Sequence, residues 1–381
     1  MLKPEFIHQG QRPNLISTKV QTSNENQKFQ PLPQPIGKSP YHLSLDNILS
    51  SDEILKIVNS KGIIFHCVGD TGGVKSPAPQ KLVANGLENT ESNFFYHLGD
   101  VVYYNGESEK YYDQFYEPYQ YYNHPIFAIP GNHDGDPLPS TGESSLQAFV
   151  RNFCSTTTQI TKDAGDVNKS PMIQPNVYWT LEAPFVTIFG LYTNVPEGGQ
   201  VKKEQIDWFE NELKTADKNK ALIIALHHPI FSMDRMHSGS KSMLDLLDNA
   251  IEKTNVIPDA VFAAHVHNYQ RFTRTYFNDF NNADGKNKKQ VPFIVAGSGG
   301  YWNLHWMQKD VKSMSLPIKI PERDDVILEK YCDDRHGFMC INVTQHKIIG
   351  EYYTVPNPHE SWHDSLNPNR FDTFEIDLFH K

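Results

Sequence analysis

The chain has 381 residues, 38% of them hydrophobic, enough for a large buried core in one big domain or two ordinary ones. Its formal net charge of −10 argues against a broad nucleic-acid-binding face. Four cysteines without a C-x-x-C pair argue against thiolate zinc sites, whereas 17 histidines leave imidazole and carboxylate as the available metal ligands.

Residues 1–45 are rich in Gln, Asn, Ser and Pro and end in QPLPQPIGKSPYH, which predicts an extended N-terminal arm. The first residues show neither an apolar signal core nor a small-residue cleavage site, and no apolar stretch approaches the roughly 18 residues of a membrane span. A cytoplasmic protein is the resulting expectation. Residues 47–60 suit a short helix.

From residue 62 the pattern repeats strand, loop and helix. Strands are expected at 62–69, 94–98, 126–129, 177–182, 185–191, 221–226 and 260–264, each a short β-branched or aromatic run bounded by turn formers. Helices fit at 107–116, 143–153, 201–215 and 239–253. The stripe Tyr112, Phe115, Tyr116 and Tyr119 reads as core packing. Further strands are expected at 269–276, 291–296, 336–343, 347–354 and 371–378. Segments 155–176 and 303–335 lack clear periodicity and read as long surface insertions. The reading is one α/β domain over 46–381, preceded by the arm.

Five stretches share a property: an apolar run ends and a ligand-type residue follows. They are FHCVGDTGG (65–73), HLGDVVYY (97–104), AIPGNHDGD (128–136), IIALHHPIF (223–231) and VFAAHVHNYQRF (261–272). Strand ends are where α/β sheets assemble sites, because the loops there converge. One strand-terminal Asp alone is more often a loop cap. Together the five supply carboxylate, imidazole, amide oxygen and phenol, a set that suits Fe, Mn or Zn better than Ca or Cu. Two such cations can clamp a phosphoryl group and activate water.

In this order the motifs resemble the metallophosphoesterase (calcineurin-like) superfamily, and within it the purple acid phosphatases. The patterns DxG, GDxxY, GNH[DE], VxxH and GHxH appear as Asp70-Thr71-Gly72, Gly99-Asp100 with Tyr103, Gly131-Asn132-His133-Asp134, Ile224 with His227, and Ala264-His265-Val266-His267. The resemblance runs from about 62 to 300, with a weaker echo at 336–353. It implies a sandwich of two mixed β-sheets flanked by helices, with two metal ions at one edge. It also implies that Asp70, Asp100, Tyr103 and His267 bind the first, and that Asp100, Asn132, His227 and His265 bind the second. Most of the superfamily has D-x-H where this chain has Gly72, and Tyr103 stands in for that missing histidine. The first metal would then be Fe and the second Fe, Zn or Mn.

The resemblance further implies that His133 contacts the substrate phosphate and assists the leaving group; a turn histidine bonded to the backbone is the alternative. Asp134 either orients that ring or caps the next turn. His237, ten residues past His227, has the spacing of a substrate-binding histidine, with an exposed loop histidine as the other reading. His228 and Arg271 read as structural, and Gly297, Gly299 and Gly300 as a tight turn beside the site.

The function expected is a phosphatase that hydrolyses phosphate monoesters by attack of a metal-bound hydroxide, at an acidic optimum. Its substrate would be a small phosphate ester, with no nucleic-acid polymer or membrane as partner and the oligomeric state left open. Alternatives are a phosphodiesterase, for example on cyclic nucleotides, a non-catalytic interaction module, and a redox-active iron pair.

Overall fold

The computed structural model describes residues 16–17, 28–158, 160–169, 172–277, 288–320, 323–360 and 367–378. Short β-branched and aromatic runs build two mixed sheets. The six-stranded sheet runs β17 (Asn369–Asp377), β16 (Lys347–Thr354), β15 (Gly337–Thr344), β3 (Gly62–Val68), β4 (Phe94–His97), β5 (Ile126–Ala128). Strands β3, β4 and β5 are mutually parallel and the other pairs antiparallel. The nine-stranded sheet runs β13 (Ile318–Ile320), β14 (Arg323–Cys332), β11 (Tyr269–Phe277), β12 (Lys288–Ala296), β10 (Ala260–Ala263), β8 (Ala221–Ala225), β7 (Val186–Gly190), β6 (Trp179–Ala183), β2 (His42–Ser44). Its middle, β12–β10–β8–β7, is parallel. A short parallel pair joins β1 (Ile16–Ser17) to β9 (Gly239–Ser240).

Alternate residues of each strand divide between two cores, as the period of two requires. Ile63, Phe65, Phe94, Phe127, Ile223 and Phe262 belong to one buried cluster shared by both sheets. Phe95, Leu222, Ile224 and Val261 belong to the other, together with Val83 and Leu87 of helix Ala78–Glu88, Phe209 and Leu213 of helix Lys203–Thr215, and Leu244 and Leu247 of helix Lys241–Thr254. The last helix starts where Ser240 accepts a bond from the Met243 amide and stops at Asn255 in the left-handed conformation. The expected sandwich flanked by helices is the observed architecture. Among the described residues no helix is long and apolar enough to cross a membrane.

Segment 303–335 corrects one expectation: it is not a surface insertion. It contributes β13 and β14 to the nine-stranded sheet and buries His305, Met307 and Val311. A register shift between Arg271 and Phe272 in the β11–β14 pairing, and charged residues on the outward positions of RDDVILEKYC, hide the alternation there. Segment 155–176 likewise buries Asp163, Ala164 and Gln174. Helix Ala78–Glu88 and strand β2 carry no expectation from the sequence reading.

Residues 1–15 and 18–27 of the expected arm lie outside the described residues. Its later part meets the body: the Ile36 and Gly37 amides donate to the Pro175 carbonyl, and β2 pairs in parallel with β6.

Candidate metal centre

Strands β3, β4 and β5 of one sheet and β8 and β10 of the other end in loops that meet. The junctions are tight. Asp70 and Asp100 both adopt φ of 55° and His265 adopts 66°, left-handed conformations that cost a non-glycine residue about 1–3 kcal/mol each and concentrate at functional sites. The Asp70 amide donates to the Gly99 carbonyl (2.9 Å) and the His265 amide to Asp70 Oδ2 (2.7 Å), so three loops are tied together, one junction through the backbone and one through the Asp70 carboxylate. Ala264 is buried against Gly69, and it is His265, not Ala264, that takes the left-handed turn.

Two groups of side chains result. In the first, the Tyr103 hydroxyl donates to Asp70 Oδ1 (2.9 Å) and lies 3.2 Å from His267 Nε2, itself 3.4 Å from Asp70 Oδ1. His267 Nδ1 sits 3.0 Å from the Asn303 carbonyl, which fixes it as the N–H donor and turns Nε2 toward the group. A Cβ on Gly72 would stand 2.8 Å from Tyr103 Cδ2 and 2.4 Å from Gln114 Oε1, so position 72 has no room for a side chain beside this tyrosine. Burial and the charges of Asp100 and Asp70 push the Tyr103 phenol well above its ordinary value.

In the second group, His227 Nδ1 donates to the Leu98 carbonyl (2.9 Å), leaving Nε2 3.0 Å from Asn132 Oδ1 and 3.3 Å from Asp100 Oδ2. His265 Nδ1 is 3.0 Å from the same Asn132 oxygen. Asp100 Oδ1 accepts from the His133 amide (2.9 Å), while Asp100 Oδ2 is fully buried without a hydrogen-bond partner. Ligand atoms of Asp100, His227 and His265 lie within 4.8 Å of one another. Oxygen and nitrogen lone pairs therefore surround one buried point, which requires positive charge there. Against burial, the Asp100 carboxylate raises the His227 imidazole to about 9. The donor set of both groups, carboxylate, imidazole, amide oxygen and phenol, fits a hard or borderline cation.

His133 lies at the mouth, its ring 4.5 Å from that of Tyr103 and its Nδ1 2.7 Å from the Tyr104 carbonyl. Asp134 does not touch that ring. Its buried carboxylate accepts from the Gly131, Val101 and Val102 amides, and burial together with Asp100 raises it to about 7. His237 is at the site, its ring 4.5 Å from that of His265. Tyr104 is partly exposed beside it all, and His228 turns its Nδ1 to Thr193 Oγ1 (2.7 Å). Arg271 forks onto Asp372 (2.7 and 3.1 Å), away from the metal ligand candidates.

Two wall residues escape the strand-end pattern. Glu197, on the loop after β7, lies 2.9 Å from His237 Nδ1 and 3.5 Å from His265 Nε2. Against burial, His237 and His265 hold its carboxyl well below the ordinary range. Its only signal was a carboxylate seven residues beyond a buried strand. His305 stacks 4.2 Å from His267 and 5.3 Å from His237, from a segment without visible periodicity.

The chain resembles "Probable purple acid phosphatase 20" of Arabidopsis thaliana, at 25% identity over 46% of this chain and 38% of that protein. It resembles "Purple acid phosphatase 21" of the same plant at 23% identity over 63% of this chain and 46% of that protein. The chain thus spans less than half the length of these curated relatives. In fold it is similar to the purple acid phosphatase PPD1 from yellow lupin (Lupinus luteus) seeds, with a TM-score of 0.56 at 18% identity over 83% of this chain and 54% of that one. The calcineurin-like phosphoesterase model matches residues 64–269, more than half of the sequence and the span that holds every metal-ligand candidate from Asp70 to His267, and the chain belongs to that family.

Proposed function

We propose that the protein is a binuclear-metal phosphatase that hydrolyses phosphate monoesters. In this reading Asp70, Asp100, Tyr103 and His267 would hold the first cation, Fe, and Asp100, Asn132, His227 and His265 would hold the second, Fe, Zn or Mn. The observation that carries it is the convergence of ligand atoms of Asp100, His227 and His265 within 4.8 Å of one another at a buried point, with Asn132 Oδ1 3.0 Å from both imidazoles and His227 Nδ1 already committed to the Leu98 carbonyl. Bound there, the cations would supply Lewis acidity toward phosphoryl oxygens and a nucleophile drawn from water near or below neutral pH.

The chain's own residues do the rest. His133 commits its Nδ1–H to the Tyr104 carbonyl, which leaves Nε2 to approach the ester oxygen and, in the imidazolium form, to give the departing alkoxide its proton. His237, held at Nδ1 by Glu197, presents its other nitrogen to a phosphoryl oxygen. The left-handed turns at Asp70, Asp100 and His265 hold the ligand set before substrate arrives.

The test is elemental analysis with a visible absorption spectrum, wild type against Tyr103→Phe, alongside turnover of p-nitrophenyl phosphate and bis(p-nitrophenyl) phosphate. Iron with a broad visible band that disappears in the variant, and monoester hydrolysis below neutral pH, are expected. A colourless Mn or Zn protein that prefers the diester would make it a phosphodiesterase and reduce Tyr103 to a packing role.

A further inference from the structure

The phosphatase reading leaves an aromatic rim without a task. Trp179 and Trp208 are buried, but Trp302 and Trp306 are 39% and 60% exposed, and Tyr104 is 38% exposed. Each of these three exposed rings directly follows a residue in or against the site: Tyr103, Tyr301, whose ring packs on those of Tyr103 and His267, or His305. The Tyr301 ring lies 4.2 Å from that of Tyr103 and 4.6 Å from that of His267. Outward from it, Tyr104 is 6.4 Å away and nearly perpendicular, and Trp302 is 6.2 Å away. A continuous set of rings therefore leads from the first ligand group to the surface.

The rim is held in place. The Tyr301 amide donates to the Asp70 carbonyl (2.9 Å), and the Tyr301 carbonyl accepts from His336 Nε2 (2.9 Å). Cations flank it: the Lys75 ammonium stands 4.6 Å from the Trp302 ring, and the Arg235 guanidinium 6.0 Å from that of Trp306. Exposed indoles on a fixed backbone, next to positive charge and beside the phosphoryl position, suit a flat ring carried by an anionic ester.

We propose that Tyr104, Tyr301 and Trp302 bind the leaving group, so that this phosphatase selects monoesters whose alcohol carries a planar aromatic ring, a nucleoside base or a phenol. The inference rests on the phosphatase reading. Water adds to phosphorus, the bond from phosphorus to the ester oxygen breaks, and the alcohol departs with a proton; the ring is bound without being altered.

Adenosine 5′-monophosphate and ribose 5-phosphate release the same primary alkoxide and differ by the ring, so their ratio of kcat/KM isolates its recognition. O-phosphotyrosine against ribose 5-phosphate serves as the phenol arm. With metal-loaded protein, at least one aromatic ester is expected to exceed ribose 5-phosphate about tenfold. That ratio should collapse in Trp302→Ala and persist in Trp302→Phe, which keeps a ring. The same ester should quench tryptophan emission in wild type, less so in Trp302→Phe, and ribose 5-phosphate should not. Whichever arm responds names the source of the ring. Hydrolysis of all three esters with ratios that Trp302→Ala leaves alone, and no quenching, would overturn the rim and leave the phosphatase standing. Hydrolysis of none would overturn both.

Discussion

A methyl group at position 131 would stand 2.0 Å from Asp100 Oδ1 and 2.4 Å from the Asp100 amide nitrogen. Neither atom can retreat, because Asp100 is held left-handed and its amide belongs to the turn. Gly131→Ala is expected to lower stability by about 1–3 kcal/mol and to cost the protein most of its bound metal. Thermal unfolding and elemental analysis on the same sample check this, and wild-type metal content at full stability would remove the crowding argument. Gly72 carries the complementary lesson. The sequence paired a missing histidine with an added Tyr103, and the packing supplies the reason: a side chain at 72 and this phenol ring compete for one volume. Asp134 offered two roles from sequence, and its three amide donors select the turn cap. Glu197 and His305 were not legible, since each reaches the wall through chain segments with no ligand-like spacing.

At the scale of elements, Asp372 of β17 accepts both Nε and Nη2 of Arg271 and the Tyr269 hydroxyl (2.8 Å), both on β11. One buried carboxylate thereby joins the two sheets. Arg271→Ala leaves that charge unpaired and should destabilise by about 3 kcal/mol, with Arg271→Met/Asp372→Leu milder than the single change. Urea midpoints of the set decide it; a harmless single variant would show that the sheets do not need the pair. A second pair ties β2 to the body: His42 Nε2 lies 2.6 Å from Glu212 Oε2, which also accepts from Thr180 Oγ1. The bond to Glu212 raises the His42 imidazole in spite of partial burial. Its stabilisation is therefore complete below about pH 6.5, the unfolded value, and fades as pH rises through the raised folded value. His42 is more than a third exposed, so solvent limits the effect to about 0.5–1 kcal/mol. His42→Ala should cost more at about pH 5.5 than at about pH 9, and equal losses would rule the pair out as the cause. Short continuous apolar runs bounded by turn formers, such as β3, β8 and β10, were readable from sequence, whereas β14 was not because its register shift resets the period.

For the whole molecule, Asp70 and Asp100 are buried carboxylates from different strands of one sheet, brought against histidines of the other. A cation bound between them should stabilise the folded chain by mass action, by about 2.7 kcal/mol at a hundredfold excess over its Kd. Exhaustive chelation should therefore lower Tm by several degrees, with recovery when Fe, Zn or Mn is added; an unchanged Tm would count against a cation at this centre. The sequence by itself determined the α/β class, the order of the five strand-end motifs and the residue types at each strand end, since those depend on local periodicity and composition, while the two-sheet sandwich was implied by the family resemblance of those motifs. Tertiary structure alone decided that Asp100, His227 and His265 converge on one buried point, that Glu197 and His305 join the wall, and that Tyr104, Tyr301 and Trp302 line its mouth. Burial, hydrogen-bond partners and ring contacts are set by segments that meet only when the two sheets pack, and no local pattern encodes them.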